Sequence, residues 1–254
     1  MLNYVIHGND TLNPPILIAH GLFGSARNWG VIARRLAEQR RLIVVDMRNH
    51  GESPWFPNHT YPDLAEDLAE VIRAEGGLAD VLGHSMGGKA AMQLALTHGS
   101  LVRRLVISDI APVAYGHSQS HLIHAMRALD LSDLGGARGE ADRRLAQTVA
   151  EDSLRAFLLQ SLDLKSDPPR WRLNLDVLEA EMSRITGWPG TEGHFKGSAL
   201  FLSGGTSTYV RPEHRATILA LFPKAKFAKI PGAGHWLHAE KPREFEETVR
   251  LFLG

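Results

Sequence analysis

Short, almost wholly apolar runs alternate along the chain with stretches in which apolar residues return every three or four positions. Residues 16–20 form one such run, closed by Gly21. Residues 26–39 follow with Trp29, Ile32, Ala33, Leu36 and Ala37 on one helical face. Residues 42–46, 79–83 and 105–109 are further apolar runs, and residues 1–7 also read as a strand. Between them, residues 62–75 place Leu64, Leu68, Val71 and Ile72 on one side of a predicted helix, and residues 86–97 form another. Strands apolar on both faces suit a parallel sheet covered on both sides. The strand–helix rhythm predicts an α/β fold.

The rhythm stops near Val113 and resumes near His194. The stretch between is predicted to be mostly helical, with helices over 122–129 and 141–159 and breaks at Gly135-Gly136 and Pro168-Pro169. After it come a strand at 199–203, a helix at 212–221, a strand at 226–230 and a helix at 242–253. The expected organisation is therefore one mostly parallel sheet with helices on both faces, built from residues 1–112 and 194–254. A helical insertion of residues 113–193 interrupts it between the later strands. An insertion after the C-terminal end of a strand lies where open α/β sheets bind ligands, so it is expected to act as a lid.

Composition narrows the chemistry. Lysine plus arginine and aspartate plus glutamate both number 28, so the net charge is zero. No field draws the chain to nucleic acid or to an anionic membrane. There is no cysteine, which excludes disulfides, thiolate catalysis, zinc–cysteine sites and iron–sulfur clusters. The first residues lack a charged n-region and a long apolar stretch, and no run reaches the length of a membrane span. A soluble, cytoplasmic protein without stable membrane insertion is expected.

The run at 79–83 leads into Gly83-His84-Ser85-Met86-Gly87-Gly88 and then a helix. This is G-x-S-x-G at a strand–helix junction. A serine presented on so sharp a turn needs glycine two residues before and after it, because side chains there would collide. Ser85 is the predicted nucleophile. The helix beginning beneath it offers backbone N–H groups to a developing negative charge. A second donor is expected from the loop His20-Gly21-Leu22-Phe23-Gly24 after an earlier strand. The predicted oxyanion hole is the N–H of Leu22 and of Met86, with His20 bracing the loop.

Thirteen histidines compete for the role of base. His235 follows the last strand in Pro231-Gly-Ala-Gly-His235, a glycine-rich loop able to hold an imidazole over the sheet's C-terminal edge. His238 is read as a cap or surface residue. His84 flanks the serine and should point away from its hydroxyl. His117, His121 and His124 are read as a solvated or pocket-lining face of the insertion, without a carboxylate partner in that stretch. No metal and no cofactor is expected.

The motifs His20-Gly21, Asp46-x-Arg48, Gly83-x-Ser85-x-Gly87 and Gly234-His235 with Glu240 and Pro242 resemble those of α/β-hydrolases, in this order and spacing. The resemblance spans the chain outside the insertion. It is similar in particular to bacterial YbfF-type esterases and their mitochondrial abhydrolase relatives. The residues that carry this likeness are HGLFGS from His20, VDMRNHG from Val45, GHSMGGK from Gly83, DIAPV from Asp109 and GAGHWLHAEKP from Gly232. The resemblance implies esterase or thioesterase activity on a small-molecule acyl ester or thioester.

The acid is where the chain departs from the common pattern. Most α/β-hydrolases carry it a few residues after the strand at 199–203, but here Ser207 occupies that place and no aspartate follows Asp176. Glu213 opens the next helix and reads as a first-turn dipole residue. Asp109 ends the strand neighbouring that of the nucleophile, and the resemblance also places its acid there. Asp46 ends a strand on the far side and reads as a turn anchor. Phe23, Trp171 and Trp188, with leucines and methionines of the insertion, are the expected walls of an apolar acyl pocket. A serine nucleophile argues against dehalogenase or epoxide hydrolase chemistry. A C–C bond hydrolase or lyase, or a slow-turnover ligand receptor, would use the same residues and stays open.

Overall fold

A computed structural model of the chain describes residues 1–134 and 136–254. Of the expected Gly135-Gly136 break, Gly135 lies outside the described residues, and Gly136 has a φ of 73°. The strands are β1 (Tyr4–His7), β2 (Ile16–Ala19), β3 (Leu42–Val45), β4 (Ala79–His84), β5 (Val102–Ser108), β6 (Leu162–Asp163), β7 (Arg170–Trp171), β8 (Ser198–Gly204) and β9 (Ala225–Ile230). The helices that precede the insertion are α1 (Gly30–Leu36), α2 (Tyr61–Ala74) and α3 (Met86–Thr97). The insertion carries α4 (Ser120–Ala128), α5 (Arg138–Leu145), α6 (Asp152–Leu159), α7 (Leu175–Ala180) and α8 (Met182–Thr186). Last come α9 (Arg215–Leu221), α10 (Leu237–Glu240) and α11 (Pro242–Leu253).

Seven strands form one sheet in the order β1-β3-β2-β4-β5-β8-β9. Only β1, on the edge, runs antiparallel to its neighbour. This is the α/β-hydrolase fold, with helices on both faces of a mostly parallel sheet. The interior strands are buried along their whole length, as in Ile16–Ala19 and Leu42–Val45. The odd and even residues of each strand enter different layers. Leu17, Ile43, Val81 and Ile107 pack under α2 and α3, while Ile18, Val44, Leu82 and Val106 pack under α1 and α11. Each fully buried aliphatic side chain of this kind stabilises the fold by about 1.5–3 kcal/mol.

The stretch at 26–39 divides into a 3₁₀ turn, Ala26–Trp29, and the short α1. Helix α2 begins where the sequence supplies a cap: Thr60 Oγ1 accepts the Asp63 N–H, and Pro62 sits in the first turn. The insertion departs from expectation in two ways. The single helix expected over 141–159 is two, because the chain turns at residues 146–151. There the Arg155 guanidinium caps the carbonyls of Val149 and Ala150 and reaches Asp142 and Asp152. The insertion is also not wholly helical, since β6 and β7 pair as a two-residue ladder.

The insertion is tied down on the core. Ser161 Oγ donates to Phe23 O (2.8 Å), Gly51 N–H to Arg172 O (2.8 Å), and Asn174 N–H to Asn49 O (3.0 Å). At its neck, Tyr115 N–H donates to Thr186 O (3.0 Å), joining the chain that enters the insertion to the chain that leaves it. No helix among the described residues is long and apolar enough to cross a membrane.

The crossing of β4 into α3 depends on bare backbone. A Cβ on Gly83 would lie 2.3 Å from Gly87 O, and one on Gly87 2.4 Å from the carbonyl oxygens of Ala19 and His20. All of these neighbours are main chain, so they cannot swing aside. Gly83→Ala should therefore lower stability by about 2–3 kcal/mol, the cost of overpacking a closed site, read as an earlier midpoint in urea denaturation. An unchanged midpoint would mean that the junction is looser than these distances require.

Candidate active site

The C-terminal ends of β4 and β5 each deliver one polar residue in an uncommon backbone conformation. Ser85 has φ 53° and ψ −120°, and Asp109 has φ 51°. Positive φ costs a residue with a Cβ of order 1 kcal/mol or more and persists where the surroundings over-determine it. Ser85 N–H donates to Ser108 O (3.1 Å) and Asp109 N–H to Leu202 O (2.8 Å). Both turns are thus fastened to the strand next door.

The loop after β9 brings His235 between them. Its Nε2 lies 3.1 Å from Ser85 Oγ and its Nδ1 2.8 Å from Asp109 Oδ2. An Nδ1–H tautomer satisfies both contacts: the imidazole donates to the carboxylate and accepts from the serine hydroxyl. The backbone on either side of His235 is clamped by one carboxylate. Glu240 accepts from Gly234 N–H (2.6 Å) and Trp236 N–H (3.1 Å). His84 Nε2–H donates to His235 O (2.9 Å). His84 bonds the main chain of His235 rather than the serine hydroxyl, and so holds the loop of His235.

Asp109 is fully buried, so its charge needs partners. Gly204 N–H donates to Oδ1 (3.0 Å), and the Ser207 hydroxyl and His235 share Oδ2. Ser207, standing where the acid of other family members is found, therefore donates to Asp109 on the neighbouring strand end. Glu213 lies in the exposed turn Pro212–His214 and pairs with Arg211 (3.5 Å). Asp46 accepts from the N–H groups of Ala26 (2.7 Å) and Glu52 (2.9 Å) and from Asn3 Nδ2 (2.9 Å). It anchors a turn, while Arg48 forms a two-pronged pair with Asp67.

The loop carrying Leu22 approaches the serine closely: a Cβ on Gly21 would meet Ser85 Cβ at 3.2 Å. His20 braces it, donating Nδ1–H to Gly21 O (2.8 Å) and accepting Met47 N–H at Nε2 (2.9 Å). His50 Nε2 accepts Phe23 N–H (3.1 Å). Burial lowers the pKa of both rings, so they are neutral props.

Ser85, His235, Leu22 and Met86 open onto one cavity of ≈ 280 Å³ between the sheet and the insertion. Phe23 lines it. Trp171 and Trp188 do not, which corrects the expected pocket. The Trp171 indole N–H turns inward to Met126 O (2.9 Å) within the insertion, and Trp188 leans on Tyr61. Of the expected leucines of the insertion, Leu122 and Leu154 do line the cavity, together with Phe157 and Ile185 of the insertion and Ile110 and Trp236. His124 is exposed and pairs with a carboxylate from elsewhere in the insertion, Glu179 Oε1 at 2.5 Å, while His117 lines the cavity.

Lys89 and Tyr209 also line the cavity and were not among the expected site residues. Lys89, one turn into α3, is almost fully buried. Its ammonium donates to Thr186 O (2.9 Å) and Gly187 O (2.5 Å) at the neck of the insertion and lies 4.7 Å from the centre of the Tyr115 ring. Burial lowers its pKa from 10.5 to about 7. Tyr209 lies flat on His235, ring centres 4.0 Å apart and planes 20° off parallel. A lysine on the first turn of an otherwise small and apolar helix was the available signal for the first. Nothing in the sequence marks the second.

Residues 14–242 match the family described as alpha/beta hydrolase fold. The chain belongs to the α/β-hydrolase family. This α/β-hydrolase is 41% identical over 248 residues to esterase YbfF of Escherichia coli, covering 96% of this chain and 95% of that one. It is 40% identical over 260 residues to an sn-1-specific diacylglycerol lipase of Mus musculus, covering 99% of this chain and 85% of that one. The solved structure of a marine microorganism esterase superposes with a TM-score of 0.93 at 35% identity, over 99% of this chain and 98% of that one.

His238 is neither a cap nor on the surface. It is buried, stacked on Trp29 with ring centres 4.2 Å apart, and its Nδ1 has no hydrogen-bond partner among the described residues. Burial, then the nearby His235, lowers its pKa from 6.5 to about 3. A histidine that stays neutral in the fold but protonates in the unfolded chain below 6.5 contributes a loss of stability as pH falls from 6.5 towards 3. The slope is at most about 1.4 kcal/mol per pH unit. His238→Phe keeps a ring on Trp29 and removes the orphaned nitrogen, so it should fold at pH 7 and lose stability less steeply across that window. Urea denaturation at stepped pH checks this; parallel slopes in the two proteins would contradict it.

Proposed function

We propose that this chain is a carboxylic ester hydrolase working through an acyl-enzyme on Ser85, with His235 as general base and Asp109 as the acid that orients it. The observation that carries the reading is the single imidazole bridging Ser85 Oγ and a buried carboxylate on the floor of the cavity. The esterase and lipase names of its relatives at about 40% identity support the reaction class. It takes small-molecule esters, and thioesters of the same acyl groups are chemically equivalent targets for the same nucleophile.

The steps follow from the geometry. Neutral His235 accepts the Ser85 proton at Nε2 as Oγ attacks the carbonyl carbon. Asp109 keeps Nδ1 protonated and stabilises the imidazolium that forms. The N–H groups of Leu22 and Met86, the latter at the N-terminus of α3, receive the oxyanion. The imidazolium then protonates the leaving alkoxide or thiolate. A water molecule gives its proton to His235, attacks the acyl-enzyme and releases the carboxylic acid. No step calls for a metal or cofactor. The apolar walls suit an apolar acyl chain, and residues 113–193, which supply Leu122, Leu154, Phe157 and Ile185 among them, act as the lid that selects it.

A fluorophosphonate should label Ser85, and Ser85→Ala should abolish both labelling and ester hydrolysis; activity surviving in that variant would overturn the assignment. Asp109→Asn should leave the fold intact and lower kcat by up to ~10⁴, the loss seen for the equivalent change in another serine hydrolase. Adding Ser207→Asp to Asp109→Asn should restore about tenfold, because the hydroxyl of Ser207 already sits on the carboxylate oxygen that His235 uses. Steady-state kinetics on a short ester reads both, and full activity in Asp109→Asn alone would place the acid elsewhere.

A further inference from the structure

The end of β8 and the loop that follows it hold no acid, yet three of their residues converge on Asp109 and His235. Gly204 N–H and Ser207 Oγ donate to Asp109, and the Tyr209 ring covers one face of His235. We propose that Tyr209 is a positioning residue whose aromatic face holds the His235 imidazole in plane and stabilises its protonated form during acyl transfer. The inference rests on the reading of Ser85, His235 and Asp109 given above.

Tyr209 is built as a fixed plate. Its N–H donates to Ser207 Oγ (3.2 Å), its carbonyl accepts from the Tyr115 hydroxyl (2.8 Å), and its own hydroxyl pairs with His117 Nε2 (2.9 Å). Backbone and ring tip are thus both anchored, so the ring has little freedom to slide from the imidazole. His235 meets Asp109 at Nδ1 and Ser85 at Nε2 in its own plane, while the His84 ring (centres 4.8 Å apart, planes 43°) and the Trp236 ring (5.9 Å, 60°) approach it at an angle. Of these rings Tyr209 alone lies nearly parallel, 4.0 Å away, so its face is the one that opposes tipping of the imidazole out of its plane.

The electrostatics favour the transition state. The face of an aromatic ring carries negative charge density and attracts a cation within about 6 Å of its centre. His235 is neutral when substrate binds and cationic once it has taken the serine proton. The attraction therefore grows as the reaction proceeds, and an interaction made only in the transition state is read in kcat rather than in KM.

The test uses the full chain and a short neutral ester. Tyr209→Leu and Tyr209→Met remove the ring, and both should lower kcat about tenfold with KM within about threefold of wild type. The methionine variant, flexible and similar in reach, guards against a folding failure specific to leucine. Tyr209→Phe, which retains the ring but not the hydroxyl, should recover most of the kcat lost in the other two. The inference is overturned if the leucine and methionine variants keep wild-type kcat. It is equally overturned if Tyr209→Phe falls as far as they do, which would assign the effect to the hydroxyl. A rise in KM at constant kcat would make Tyr209 a substrate contact instead. Ser85→Ala separates this outcome from the parent reading: activity there defeats the triad, whereas the Tyr209 series defeats only the ring.

Discussion

A buried carboxylate without compensation would cost the fold several kcal/mol. Asp109 is buried completely, and most of the site's geometry can be understood as its compensation. Two neutral donors, Gly204 N–H and Ser207 Oγ, share it with one group that can become charged, His235. Each comes from a different part of the chain: β8, the loop beyond it, and the loop after β9. Satisfying one charge thus aligns three segments, and the alignment leaves His235 Nε2 facing Ser85. The same low-dielectric setting that makes the charge costly makes its interaction with a forming imidazolium strong.

The sheet supplies the rigidity. Ser85 and Asp109 leave adjacent strands with positive φ, and close backbone contacts at Gly83 and Gly87 allow no relaxation there. The neutral histidines His20, His50 and His84 act as struts around this floor and hold loops by their ring nitrogens. Burial keeps them uncharged, so they add no competing cation beside His235. The insertion contributes the opposite wall and is pinned at its neck by Lys89 and Tyr115.

Much of this is legible in the sequence. The apolar runs predicted the interior strands within one to three residues, because a strand buried on both faces leaves a nearly unbroken signature. G-x-S-x-G placed the serine at a strand–helix junction for a steric reason that the Gly83 and Gly87 contacts display. Absence of an aspartate after Asp176 directed attention to Asp109. What was illegible is contact between residues remote in sequence. His235 and Tyr209 meet across a loop boundary, and Trp171 could not be known to turn its N–H towards Met126. Composition favours a tryptophan in a lid as a pocket wall; a nearby carbonyl decided otherwise. The break at residues 146–151 rests on Arg155 capping two carbonyls, a tertiary choice that overrides a continuous helical pattern.

The central claim is that one proton bridges His235 Nδ1 and the Asp109 carboxylate. Proton NMR of protein labelled with ¹⁵N at histidine observes that proton directly, as a far-downfield resonance coupled to an imidazole nitrogen. The account predicts that it is present in the wild type and in Ser85→Ala, persists in Glu213→Gln, and vanishes in Asp109→Asn. A resonance that survives Asp109→Asn, or one lost on changing Glu213, would show that another group orients the base and would contradict the account.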